Sequence, residues 1–166
     1  MRRRARAGGR STSAGTAGPT APAVATLAAA ALAMTGCSRG VEVAPPSGLS
    51  PRAQSACRAV TWPKTVARLE QVPTTPESTL TAAWGDPPLI ARCGVPAPGP
   101  TTDDCVVVDG VDWVIHPLSD GTRLTTFGRD PAIELLVPTD YGPAPLLLPA
   151  FDAAARALPR TGHACE

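Results

Sequence analysis

Apolar residues in this chain first form one continuous run and later alternate with polar residues. The run occupies residues 21–34 and is rich in alanine. From Thr79 onward the hydrophobic period is two, which predicts β-strands over residues 79–84 and 89–95. The alternation means that each of these strands has one apolar face, and we therefore expect a sheet with a core on one side.

Three other segments have helical character. Residues 52–61 place apolar side chains on one stripe and predict a short helix. Residues 64–71 predict a second short helix, with Pro63 in its first turn. Residues 143–158 begin with prolines and lead into a third helix, whose apolar side chains could cover the sheet.

The clearest hairpin signal is the Asp-Gly dipeptide at residues 109–110, because this pair suits the positive φ angles of a two-residue turn. Such a turn sets Val108 opposite Val111 and Val106 opposite Trp113. The pairing collects apolar side chains on one face, and this consistency supports the register.

A second hairpin is predicted for residues 122–127 and 132–137, joined by a loop over residues 128–131. This register sets Leu124 opposite Leu135 and leaves Arg123, Thr125 and Glu134 on the outside. The predicted fold is therefore an α+β domain: an antiparallel meandering sheet of about six strands, with helices packed on one face and the other face wet.

The first 36 residues have the layout of a secretory signal peptide, in which arginines precede a polar stretch and an apolar run. At about 14 residues, the run is shorter than the roughly 20 that a membrane-spanning helix needs. The sequence Met34-Thr35-Gly36-Cys37 resembles the lipobox of bacterial lipoproteins. We expect residues 1–36 to be removed and Cys37 to carry the lipid that holds the protein on the extracytoplasmic face of the cell membrane. The alternative is cleavage by an ordinary signal peptidase and secretion.

Removal of the leader would change the charge balance of the chain. It takes away five of the 15 basic residues and none of the 14 acidic ones, leaving ten against 14 and a formal charge of −4. A nucleic-acid footprint needs basic residues clustered on one face, whereas here they are scattered. We therefore expect no nucleic-acid partner.

Residues 37–51 contain Pro45-Pro46-Ser47-Gly48 and predict a lipidated flexible tether, which leaves residues 52–166 as a single domain. Four cysteines follow Cys37, and an even number in an exported chain predicts two disulfides. Their spacing does not match zinc-ligand pairs, so no metal is predicted. Of the three possible pairings we favour Cys57 with Cys165 and Cys93 with Cys105, which ties the domain ends together and closes a short proline-rich loop.

Two turns share the order aromatic, glycine, aspartate, proline, at residues 84–87 and 127–131. Turn chemistry alone explains such sequences, because glycine takes an unusual dihedral, aspartate caps the turn and the aromatic ring packs in the core. The functional interpretation is that both turns lie at the same end of the sheet and form a recognition site. Its candidate residues are Trp84, Asp86, Arg92, Asp112, Arg129 and Asp130.

Sequence motifs of common hydrolases, metallopeptidases and nucleotide enzymes are absent from the chain, so neither a catalytic residue nor a cofactor is predicted. Either His116 or His163 could serve as a general base, although surface histidines without a chemical role are more common. The aspartates at positions 103, 104, 109 and 112 do not have the spacing of a calcium-binding loop.

Several short motifs occur in order along the domain. They are Ala56-Cys57-Arg58-Ala59, Pro63, Thr65-Val66, and the segments 83–88, 92–95, 108–113 and 127–132. Together they resemble the actinobacterial lipoprotein family with domain of unknown function 3515, over residues 52–165. The resemblance implies an exported envelope lipoprotein and supplies no activity, substrate or catalytic residue.

From these features we expect a non-enzymatic extracytoplasmic module that has a structural role or binds an envelope protein or cell-wall material. The alternative is a hydrolytic or cell-wall-modifying enzyme without a recognisable motif. A deep pocket converging on His116 or on paired carboxylates would favour the enzyme. A flat or aromatic-rimmed exposed face would favour partner binding.

Overall fold

The computed structural model describes residues 40–166. The strands of this part of the chain are β1 (Val41–Glu42), β2 (Thr65–Val66), β3 (Leu69–Val72), β4 (Thr74–Thr75), β5 (Thr81–Trp84), β6 (Leu89–Val95), β7 (Asp104–Val108), β8 (Val111–Pro117), β9 (Gly121–Phe127) and β10 (Ala132–Pro138). Its α-helices are α1 (Pro51–Arg58) and α2 (Asp152–Arg156), and its 3-10 helices span Thr139–Tyr141 and Ala144–Phe151.

Eight of the strands form one sheet in the order β2-β3-β5-β6-β10-β9-β8-β7, with antiparallel neighbours throughout. After β6 the chain crosses to the far edge of the sheet through residues 96–103, and it then returns strand by strand until β10 pairs with β6. The expectation of a mostly antiparallel sheet is confirmed. The expectation of six strands under a layer of helices is wrong, because the sheet has eight strands and the two α-helices are short.

The predicted helix over residues 64–71 is instead the hairpin of β2 and β3. Its turn residues Ala67 and Arg68 have φ angles of 47° and 72°, which suit a tight hairpin turn. Gln71 on β3 lies opposite Trp84 on β5, so the hairpin extends the sheet. Pairing with a distant strand outweighs the weak local helical preference of this segment.

Both predicted hairpin registers are confirmed. The turn at residues 109–110 has φ angles of 52° and 75°, and Val106 lies opposite Trp113. In the second hairpin Leu124 lies opposite Leu135. Because side chains alternate along a strand, these registers determine which residues face the core.

The core lies on one face of the eight-stranded sheet, which we call the inner face. Trp84, Trp113 and Phe151 are its largest side chains, each 0–1% exposed. The rings of Trp84 and Phe151 meet edge to face, with centroids 5.3 Å apart. Phe151 comes from residues 143–158, which were predicted to begin with prolines and lead into a helix. The 3-10 helix Ala144–Phe151 occupies the first half of that segment, where Pro149 has no amide hydrogen for an α-helical bond, and the α-helix forms only over Asp152–Arg156.

The two predicted disulfides are present, but the favoured pairing is wrong. The bonds join Cys57 to Cys93 and Cys105 to Cys165, with Cα–Cα distances of 5.6 and 5.7 Å. Cys93 is fully buried on the inner face, where α1 brings Cys57 to it. Cys105 alternates with the inward-facing Val106 and therefore lies on the opposite, outer face. The sheet itself separates Cys93 from Cys105.

The segment predicted to be a flexible tether is part of the folded unit from Val41 onward, so that expectation is wrong for this stretch. β1 pairs with β4 in a parallel ladder, and the Val43 amide donates to the Thr75 carbonyl at 3.0 Å. The Val43 side chain is 4% exposed. The predicted signal peptide and Cys37 lie outside the described residues. Within residues 40–166, the helices are too short to cross a lipid bilayer.

Candidate functional site

The two turns of the predicted recognition site lie at opposite ends of the sheet. β6 and β10 run antiparallel, with Ala132 opposite Val95 and Leu136 opposite Ile90. Each turn directly precedes one of these strands, and each strand has seven residues. The turns are therefore about 20 Å apart at the usual rise per residue. The hypothesis of one site built from both turns is wrong.

Trp84 and Arg129, two of the candidate residues, are buried. Trp84 is fully enclosed in the core, and its Nε1 donates to the Pro63 carbonyl at 2.9 Å. Arg129 is 7% exposed, and its Nη1 donates to the Leu158 carbonyl at 2.8 Å. Burial, reinforced by the nearby guanidinium of Arg160, lowers the pKa of Arg129. The guanidinium of an arginine nevertheless stays protonated inside a folded protein. The buried Arg129 therefore holds the segment that follows α2 in place through its hydrogen bond to the Leu158 carbonyl.

The turns themselves follow backbone requirements. Gly85 and Gly128 have φ angles of 73° and 70°, a region that other residues rarely adopt. The side chains of Asp86 and Asp130 are exposed, each at its own end of the sheet. The glycine part of the simpler interpretation is therefore confirmed, whereas its aromatic part holds for Trp84 only, because Phe127 lies on the outer face and stacks on His163.

Tyr141 secures the first of these turns. Its hydroxyl donates a hydrogen bond to the Pro87 carbonyl. Desolvation raises the pKa of Tyr141, and the carboxylates of Asp140 and Asp86 raise it further. The hydroxyl therefore keeps its proton and remains a donor, which holds the turn against the segment that follows β10.

Arg92 and Asp112, the last two candidate residues, lie on the outer face of the sheet. Arg92 lies opposite Glu134, and its Nε donates to Glu134 Oε1 at 2.9 Å. Glu134 is only 8% exposed although the sequence predicted it outside. The outer face is therefore partly covered, and a buried carboxylate there is compensated by an arginine from the neighbouring strand.

The cover is the loop over residues 96–103, which crosses the outer face on its way to the far edge of the sheet. Between this loop and strands β8 to β10 lies a cavity of about 370 Å³, which we call the charged groove. Its sheet side is formed by Val95, Val114, His116, Arg123, Thr125 and Glu134, and its loop side by Pro96, Pro98, Gly99, Pro100, Thr101 and Asp103. Val114 is 7% exposed because the loop covers it.

His116 and Asp103 form a contact across the groove. Nδ1 of His116 lies 3.2 Å from Oδ2 of Asp103, and the side chains are 43% and 39% exposed. A carboxylate at Nδ1 orients the imidazole and favours a proton on that nitrogen. The pair joins the loop to β8 and is open to solvent.

Arg123 stands between charged and apolar neighbours. It lies opposite His116 on β8 and opposite Leu136 on β10. Among residues 40–166, no carboxylate lies within 4.0 Å of the Arg123 guanidinium. The two carboxylates of the groove have other partners, because Glu134 forms an ion pair with Arg92 and Asp103 contacts His116. The groove therefore contains one cation that the described part of the chain does not compensate.

Residues 162–166 pack against the outer face of the sheet beside β7, β8 and β9. Asp112 Oδ1 accepts a hydrogen bond from the Cys165 amide at 2.9 Å, and the His163 ring stacks on Phe127 with centroids 5.7 Å apart. A second cavity of about 690 Å³ lies between this tail and the loop, and it shares Val114 with the charged groove. Asp112 thus anchors the tail, and His163 packs on an aromatic ring.

An apolar patch adjoins the charged groove on its other side. It is formed by Pro87, Pro88, Ile90, Leu118 and Leu136, which line a cavity of about 460 Å³ together with the acidic Asp120 and Asp140 at its rim. Ile90 lies opposite Leu136, and Leu136 opposite Arg123, so a single row of side chains runs from the patch into the groove.

Sequence reasoning missed both surfaces because they depend on the order of strands from distant parts of the chain. The available signal was the outward position of Arg123, Thr125 and Glu134 in the second hairpin. Three or more metal-ligating side chains do not come together anywhere within residues 40–166.

Comparison with known proteins identifies a family. A family model described as protein of unknown function (DUF3515) matches residues 16–161. No curated protein and no solved structure matches the chain significantly. Since the family model covers most of the sequence, the chain belongs to the DUF3515 family.

Proposed function

We propose that this member of the DUF3515 family is an exported, lipid-anchored module of the cell envelope, and that it binds an anionic envelope component in the charged groove without catalysing a reaction. The arginine-rich leader and the lipobox-like sequence before Cys37 support export and attachment through lipid. Two disulfides support an oxidising compartment outside the cytoplasm.

The observation that carries the binding role is the uncompensated Arg123. Each carboxylate of the groove already has a basic neighbour, whereas Arg123 has no carboxylate partner within the described residues. A guanidinium offers several donors in a planar fork and suits carboxylate or phosphate groups. An anion seated there would complete the charge pairing of the groove.

The composition of the groove supports binding over catalysis. Its lining residues include two threonines but neither a serine nor a cysteine that could act as an activated nucleophile. The His116–Asp103 pair is well exposed, whereas catalytic electrostatics gain strength from exclusion of water. The proline-rich wall limits the motion of the loop and favours a preformed surface.

A hydrolytic function is the second candidate, and the contact between His116 and Asp103 is the observation that favours it. An imidazole oriented by a carboxylate can take a proton from a water molecule. In that case water would be the nucleophile. The substitution His116→Gln would then abolish turnover, while binding at Arg123 would persist.

The test compares protein extracted from its own membranes for the wild type, Arg123→Gln and the control Arg58→Gln, whose arginine is exposed at the end of α1. Intact mass should reveal a diacylglycerol on Cys37. Native mass spectrometry should reveal a bound component in the wild type and the control but not in Arg123→Gln. Equal retention by all three proteins would overturn the binding proposal, and an unmodified, secreted chain would overturn the lipid anchor.

A further inference from the structure

We infer that the charged groove and the apolar patch form one binding site for an amphiphilic monocarboxylate, with the carboxylate on Arg123 and the apolar chain over Leu136 and Ile90. This inference rests on the proposed binding function and adds the chemical class of the ligand. Neither surface alone would specify such a molecule.

The unpaired guanidinium of Arg123 selects the headgroup. Within residues 40–166, Arg92 contacts Glu134 and His116 contacts Asp103, which leaves Arg123 as an arginine of the groove without an acidic partner. One unpaired guanidinium suits one carboxylate. A group with two negative charges would meet the carboxylates of Glu134 and Asp103 without a second free cation. A singly charged carboxylate, held by two parallel N–H···O bonds, satisfies the guanidinium.

The strand register places apolar contacts directly beside that headgroup. Leu136 lies opposite Arg123, and Ile90 lies opposite Leu136 on the next strand. Facing side chains on neighbouring strands are in reach of each other, and the strands are about 4.8 Å apart. The row therefore extends about 10 Å from Arg123 across the patch.

The orientation of the ligand follows from the positions of Arg123 at one end of the row and Ile90 at the other. The guanidinium attracts the carboxylate, which leaves the apolar chain over Leu136 and Ile90. Asp120 and Asp140 also line the patch cavity and are exposed, so they disfavour a second carboxylate there.

The experiment is an NMR titration of the isotope-labelled protein with hexanoate, acetate, 1-hexanol and hexylamine. These probes carry the whole amphiphile, the headgroup alone, the chain alone, and the chain with the opposite charge. We expect hexanoate to shift amide signals of β6, β9 and β10. Each added methylene should improve affinity about twofold, because the patch contacts one side of the chain and full burial would give about fourfold. Hexylamine should bind at least tenfold more weakly than hexanoate.

Two variants separate the contributions. Arg123→Gln should reduce hexanoate affinity about tenfold, to the level of 1-hexanol, because it removes a charge-assisted contact. Ile90→Thr keeps a β-branched residue on the strand and should weaken hexanoate a few-fold while leaving acetate unchanged. Arg58→Gln should leave every affinity unchanged. Unaltered amide dispersion in each variant verifies the fold.

Equal affinity for acetate and hexanoate, or for hexanoate and hexylamine, would overturn the inference, as would undiminished hexanoate binding by Arg123→Gln. The proposed function fails separately. If hexanoate does not bind but Arg123→Gln still loses the component bound in membranes, the ligand class is wrong and the groove remains a binding site.

Discussion

Removing each disulfide in turn tests how burial and loop length combine in this domain. On the chain-entropy model, the bond between Cys105 and Cys165, 60 residues apart, stabilises the fold by about 4 kcal/mol. The bond between Cys57 and Cys93, 36 residues apart, gives about 0.5 kcal/mol less, because the dependence is logarithmic. Loop length alone would thus rank Cys105–Cys165 as the slightly more stabilising bond.

Burial reverses this order. Cys57 and Cys93 are both fully buried, so alanine at both positions leaves two cavities of about methyl size, each costing about 1 kcal/mol. Cys105 and Cys165 are partly exposed and leave no comparable void. The cavity cost of about 2 kcal/mol exceeds the difference in loop entropy. We therefore expect the free energy of unfolding to fall by about 5–6 kcal/mol in C57A/C93A and by about 4 kcal/mol in C105A/C165A.

The assay is equilibrium unfolding in urea without reductant, followed by tryptophan fluorescence. Non-reducing peptide mapping of the wild type verifies the pairing first. An equal or larger loss in C105A/C165A would refute the reasoning from burial. A loss below about 1 kcal/mol in that variant would refute the reasoning from loop entropy.

Three further predictions concern single positions. Tyr141 is the only tyrosine of the chain, so its ionisation can be followed by absorbance; its pKa should lie above the ordinary value of 10.0, and an equal pKa in the native and urea-unfolded protein would contradict desolvation as the cause. Asp112→Ala should speed amide exchange at Cys165 while Asp112→Asn, which keeps an acceptor oxygen, should not; equal exchange in both variants would show that the hydrogen bond does not hold the tail. Phe151→Ala should lower the free energy of unfolding by about 3–5 kcal/mol, because the ring is fully buried against Trp84, and a loss below about 1 kcal/mol in urea unfolding would contradict that packing.

The candidate site shows how a connection between strands creates a surface. A direct hairpin between β6 and β7 would leave the outer face bare. The observed crossing to the far edge instead carries Asp103 over the sheet to His116, and the same connection lets β10 pair with β6, which brings Glu134 to Arg92. The groove is therefore a product of strand order rather than of any single motif.

Local chemistry in the sequence was sufficient for features whose parts are close along the chain. The Asp-Gly turn and the alternation around it predicted the pairing of Val106 with Trp113, and the second hairpin followed from the same logic. An even number of cysteines beyond the leader predicted two disulfides. The hairpins depend on contacts within one turn and one strand pair, and the number of disulfides follows from the number of cysteines.

The tertiary structure alone decided which distant segments meet. Residues 64–71 have helical spacing, yet they form a hairpin because β3 completes the sheet beside β5. The cysteine pairs follow from the segments that pack on each face of the sheet, and the opposite positions of the two turns follow from the antiparallel pairing of β10 with β6. Such long-range pairing is selected because it buries the apolar side chains of all strands together on the inner face. The stabilisation is shared among many residues, so the sequence around any one position does not reveal it.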